Sequence, residues 1–173
     1  MDYLWQGLIQ ALKLLSSGDA QTLSAIWVTV RVSTISIAGS LILGIPCGFL
    51  LGYTSFPGKK AIRLMVDTLL SFPTVVIGLL VYAAISRQGP LGEFGLLFTL
   101  PGIAIGQIIL GLPIIIALTA SAVEHMDERL RPTLLTLGAN ARQVMISTVW
   151  EARYAILAAA VTAYGRIVSE VGI

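Results

Sequence analysis

Residues 23–53 read LSAIWVTVRVSTISIAGSLILGIPCGFLLGY, and Arg31 is the lone charge in that stretch. A helix rises about 1.5 Å per residue, so roughly 20 such residues cross a hydrocarbon core about 30 Å thick. Lipid offers the backbone no hydrogen-bond partner but itself, which selects a helix. Three further apolar runs, at 64–85, 101–123 and 155–173, repeat the pattern. Together they predict an all-α integral membrane protein built as a multi-span helical bundle. The charge content agrees, at 12% against about a quarter in soluble domains, with 56% of the chain hydrophobic. A net charge of +2 gives no electrostatic footprint for nucleic acid. The single cysteine, Cys47, excludes an intramolecular disulfide and is expected to be a small packing residue.

Residues 1–18 follow a different pattern. Gln6, Gln10, Lys13 and Ser17 recur at helical spacing on one side, while Leu4, Leu8, Leu12 and Leu15 line another. Such a helix of about four turns reaches only about 21 Å, short of a span. It is expected to lie on the membrane surface, to end at Gly18, and to precede a helix capped by Asp19. The segment carries Asp2 rather than a basic start and lacks a small-x-small cleavage site, so no cleavable signal peptide is expected.

The placement of Lys and Arg predicts orientation. The connection 54–61 holds Lys59 and Lys60, with Arg63 just beyond, and the connection 124–153 holds Arg129, Arg131, Arg142 and Arg153. Between them, 87–99 has one arginine and one glutamate. The positive-inside rule therefore puts 54–61 and 124–153 in the cytoplasm and 87–99 outside, in a multi-pass membrane protein. Arg31 then reaches the outer interface, either as a snorkelling anchor or as an attractor of anionic substrate at the outer mouth. Asp67 follows Arg63 at the spacing of a helical ion pair. Trp5, Trp27 and Trp150 fall near the expected interfaces as belt anchors.

Inside the runs, Thr29, Ser33, Ser36, Ser40, Gly44, Gly48 and Gly52 form one stripe of small residues that lets another helix approach closely. Pro46, Pro73 and Pro113 release backbone carbonyls that neighbouring helices must satisfy. Arg166 and Glu170 are four apart on one face of the last run. An intramembrane pair of this kind is either functional or a structural lock to a neighbouring helix.

The chain has no phosphate-binding loop, no Gly-rich dinucleotide fingerprint, no His/Cys ligand cluster and no Gly-x-Ser-x-Gly elbow. No catalytic residue, metal site or bound cofactor is expected, and His125 reads as a solvated surface residue. In the segment 124–153, Leu130, Leu134, Leu137 and Ala141 follow one helical face, and Val144, Ile146 and Val149 resume it after Gly138. Two short helices meeting at Gly138, Ala139 and Asn140 predict a compact knuckle suited to docking another subunit.

That knuckle, TLGANARQV, resembles the middle of the cytoplasmic-loop motif Glu-Ala-Ala-x3-Gly-x9-Ile-x-Leu-Pro of binding-protein-dependent ABC importer permeases, with Gly138 as its glycine. Pro132, Thr133 and Leu134 stand at the Glu-Ala-Ala positions, and Trp150 and Glu151 replace Leu-Pro. The strings LLSFPTVVIGLLVY, SRQGPLGEFGLLFT and EARYAILAAAVTAYGRIVSEVG extend the resemblance, specifically to type I permeases of the tungstate and molybdate kind, over nearly all of the chain after residue 20.

The resemblance implies the MetI-like permease architecture, with an amphipathic helix at 1–18 and an incomplete permease domain at 19–173 that holds the four runs and a coupling segment at 124–153. It implies a homodimer, two cytoplasmic ATPase subunits that carry ATP and Mg, and an extracytoplasmic oxyanion-binding protein. The ATPase-coupling residues would be Leu137, Gly138, Ala139, Asn140 and Arg142, with Arg131 a further candidate partner for acidic groups. Candidates for the translocation path are the hydroxyls of Ser71 and Thr74 beside Pro73, together with Arg166 and Glu170. Arg31 is the candidate at the outer mouth. Family members finish the last helix beyond the Ser-Glu-Val-Gly string and add another span, so the chain is expected to be a truncated copy of that pattern. Tungstate is the expected cargo, though molybdate, sulfate or phosphate satisfies the same physics. The second reading is a non-transporting membrane scaffold whose knuckle recruits a soluble cytoplasmic partner.

Overall fold

The structure, a computed structural model, describes residues 2–127 and 129–170. Among these it is helical with no strand: α1 (Asp2–Ser16), α2 (Ala20–Tyr53), α3 (Lys59–Leu70), α4 (Thr74–Ile85), α5 (Leu100–Glu124), α6 (Leu130–Thr136), α7 (Ala141–Glu151) and α8 (Arg153–Glu170). A 3-10 turn at Gly92–Phe94 lies between α4 and α5.

The first boundary follows the expected chemistry. Gly18 adopts φ 66, and Asp19 N–H donates back to the Leu14 carbonyl at 3.3 Å, closing α1. The Asp19 carboxylate then caps α2 by accepting from the Thr22 amide at 2.9 Å and its hydroxyl at 2.8 Å. These two bonds, the amide first, hold the Asp19 carboxyl below its ordinary range.

α2 and α5 are each long and apolar enough to cross a membrane alone. The run 64–85 differs from a single span: α3 and α4 meet at a bend of 101°. Pro73 has no N–H to continue the helix and pushes Phe72 away from helical backbone angles, so α3 stops at Leu70 and α4 starts afresh. The run 155–173 is also not free-standing. It begins in α8 at Arg153, its last three positions lie outside the described residues, and α8 is long and apolar enough to cross a membrane only when joined with α7, across a bend of 61°.

The small-residue stripe of α2 packs on α5, with Ser33, Ser36, Ser40, Gly44 and Gly48 all buried. The approach is close: a Cβ on Gly48 would sit 2.7 Å from the Ile116 carbonyl oxygen, and one on Gly52 2.7 Å from that of Ala120. α8 packs against both helices through Ala159, Ala163 and Ile167, which join Ile37 of α2 and Ile114 and Ile115 of α5 in one buried cluster. The core is therefore a three-helix spine of α2, α5 and α8. Cys47 is exposed, contrary to its expected packing role, because it lies about 100° round the helix from Gly48 and off the stripe.

Candidate functional site

Between α6 and α7 the chain makes a fully specified turn. Gly138 takes φ 82 and donates to the Leu135 carbonyl at 3.0 Å, while Ala139 donates to that of Leu134 at 3.0 Å. This pair of bonds satisfies carbonyls that the end of a helix leaves open. Asn140 then starts α7 with a reciprocal cap, in which its side chain accepts from the Gln143 amide at 2.9 Å and its own amide donates to Gln143 Oε1 at 2.8 Å. The turn projects Leu137, which is 78% exposed, and leaves the Arg142 side chain exposed with no ion pair among the described residues. Val144 and Thr148 anchor α7 by burial. The result is an apolar knob on a turn closed by backbone and side-chain hydrogen bonds, flanked by an exposed cation, with the shape and chemistry of a docking element.

Three cation–π contacts hold the flanks. Arg131 of α6 lies 5.2 Å from the centroid of the Tyr53 ring at the end of α2, and Tyr53 stacks on Phe49 at 4.9 Å. Arg153 sits over the rings of both Trp150 and Tyr154, at 5.1 and 4.5 Å.

The same end of the bundle carries an ion cluster. Arg63 Nε lies 3.3 Å from Asp67 Oδ2, the pair expected from spacing. Spacing did not reveal Glu124, whose carboxylate bridges Lys59 Nζ at 3.1 Å and Arg63 Nη1 at 3.2 Å. Lys59 also donates to the Gly52 carbonyl at 3.1 Å.

A cleft of about 610 Å³ opens between α4, α5 and α8, with a mostly apolar wall. It brings together Thr74 and Glu170, two of the four path candidates. Arg166 lines a smaller adjoining pocket, and its Nε lies 3.8 Å from Glu170 Oε1, so the pair forms and sits at the cleft's edge. Ser71 is exposed at the end of α3 and does not line the cleft, since the bend turns it away from α4. Arg31 is exposed and forms no ion pair among the described residues. The cleft also holds Gln107, a buried polar residue that receives a hydrogen bond from Ser36 Oγ at 2.7 Å. Its signal in the sequence was a solitary amide in the otherwise apolar run LPGIAIGQIILGLPIII.

Residues 44–171 match the family described as binding-protein-dependent transport system inner membrane component. The chain is 45% identical, over 173 residues, to the tungstate uptake system permease protein of Campylobacter jejuni, covering 100% of this chain and 72% of that protein. It is 34% identical to the tungstate uptake system permease protein of Peptoclostridium acidaminophilum, covering 99% of this chain and 75% of the relative. Identity to the molybdenum transport system permease protein of Escherichia coli is 28%, over 86% of this chain and 68% of the relative.

Proposed function

The chain belongs to the binding-protein-dependent transport system inner membrane components, and from that premise we propose that it is the transmembrane permease subunit of an ATP-driven importer whose cargo is the tungstate oxyanion. The observation that carries this reading is the 45% identity to a tungstate permease over the whole chain. The lower identity to a molybdenum permease favours tungstate over molybdate.

In this reading two copies form the pathway, and two ATPase subunits bind ATP and Mg on the cytoplasmic side. An extracytoplasmic binding protein delivers the anion. The turn from Leu137 to Arg142 seats on the ATPase, with Gly138, Ala139 and Asn140 setting its shape. Closure of the ATPase pair on ATP then favours one of two states of the bundle, and release favours the other, which is what alternating access requires. The rigidity of the doubly bonded turn supports this role, because a soft knob dissipates a push that a fixed one transmits.

The cleft beside α4 forms part of the pathway wall. Thr74 supplies a hydroxyl, and Arg166 offsets the carboxylate of Glu170 as a dianion passes. A largely apolar wall grips an anion weakly, which suits passage rather than storage. Arg31, in the outer half of α2, draws the anion to the mouth. Selectivity belongs mainly to the binding protein.

Replacing Gly138 and Ala139 together with bulky charged residues in the full permease tests the coupling assignment. Co-purification of the ATPase and oxyanion uptake are both expected to fall. If both are retained at the wild-type level, the turn is not the ATPase contact.

A further inference from the structure

We infer that Glu124 is a positioning residue for transport: it ties α3 to the α2–α5 spine and carries movement of the coupling segment into the bent α3–α4 element. The inference rests on the permease function proposed above.

The argument begins with how lightly α3 is held. None of its twelve residues is buried, whereas α2 and α5 share a seam of buried serines, glycines and isoleucines. α3 does touch α5, but its ionic tie to that helix is the one carboxylate of Glu124, at 3.1 Å from Lys59 and 3.2 Å from Arg63. All three side chains keep between 24% and 31% of their surface exposed. Ion pairs with that much water contribute little to stability. They also break and re-form at little cost, which a dry seam does not. A partly hydrated tie is thus suited to a contact that changes in each transport cycle.

Position in the chain adds to this. Glu124 is the last residue of α5, and the coupling segment leaves directly from it. α6 returns to the same place by setting Arg131 over Tyr53, whose neighbour Gly52 accepts from Lys59. A displacement of α6 therefore reaches the end of α2, the start of α3 and the end of α5 through adjoining contacts. Beyond α3 lies the 101° bend into α4, which lines the cleft. Glu124 stands where the two elements meet.

The substitution Glu124→Gln is selective. Without the carboxylate, Arg63 keeps Asp67 and Lys59 keeps the Gly52 carbonyl, so both cations retain a partner and only the tie between helices is lost.

The test uses the full permease, its ATPase and its binding protein in liposomes, and reads tungstate taken up per ATP hydrolysed. Glu124→Gln is expected to assemble with the ATPase and hydrolyse ATP, with uptake per ATP reduced about tenfold, the usual scale of coupling between sites. The exchange Lys59→Glu with Glu124→Lys keeps one carboxylate between two cations and is expected to restore at least half of the ratio. An unchanged ratio in Glu124→Gln overturns the inference. So does loss of assembly in both variants, which would make the cluster purely structural. A wild-type complex with no ATP-dependent uptake instead removes the proposed function, and this inference with it.

Discussion

Gly48 of α2 lies against Ile116 of α5 so closely that a methyl group on the glycine would rest 2.7 Å from the isoleucine's carbonyl oxygen. A backbone oxygen cannot rotate away as a side chain does, so the two helices must separate to admit even alanine. Gly48→Ala is expected to cost about 1–3 kcal/mol through overpacking, and Gly48→Leu to prevent the seam from closing. Thermal unfolding in detergent measures the first, and recovery of folded protein the second. A Gly48→Leu variant with wild-type stability would show that the seam is not as tight as described.

The opposite outcome is expected at the same contact, three residues further along α5. Thr119 is fully buried in α5, yet its hydroxyl has no hydrogen-bond partner among the described residues. Valine keeps the shape and removes a polar group whose unpaired burial costs about 1–3 kcal/mol. Thr119→Val is expected to melt at or above the wild-type temperature, and a clear drop would mean that the hydroxyl is bonded within the membrane.

At the turn before α7, the two glycine and asparagine devices separate cleanly. Gly138→Val forces a branched side chain into left-handed backbone, while Gly138→Asn is better tolerated there. Asn140→Ala removes the reciprocal cap and is expected to cost about 1 kcal/mol. Hydrogen exchange at the Gln143 and Val144 amides reports both, with faster exchange expected in Gly138→Val and Asn140→Ala than in Gly138→Asn.

Protonation of Asp19 gives a prediction with a definite sign. Its carboxyl is held below the ordinary range by Thr22, so the cap adds stability above the unfolded carboxyl value and loses it as the pH falls through the folded one. The stability difference between wild type and Asp19→Ala is expected to be full at neutral pH. It should shrink below about pH 4 and vanish once Asp19 is protonated in both states. A difference that persists unchanged to the lowest pH tested would assign the effect to packing instead of the cap.

Much of this was legible in the sequence because the signals were local. The stripe from Ser33 to Gly52 names its own face, and Gly138 between two periodic segments names its own turn. The departures arise where distant residues meet. Spacing found the Arg63–Asp67 pair but not Glu124, which lies 61 positions from Arg63 in the chain. It found Thr74 and Glu170 separately, while only the packing of α4 and α8 on α5 places them in one cleft with Gln107. Ser71 lies outside that cleft for a geometric reason: Pro73 was recognised as a source of released carbonyls, but a 101° bend sends residues on its two sides in different directions. Cys47 failed because an apolar run does not say which of its faces meets protein and which meets lipid.

Uptake measured directly is the most telling test of the central claim. The full permease, reconstituted in liposomes with its ATPase and binding protein, is expected to accumulate tungstate only when ATP is supplied, with molybdate competing more weakly and sulfate and phosphate least. ATP-independent tungstate flux, or ATP-driven uptake of sulfate or phosphate in preference to tungstate, would contradict the account.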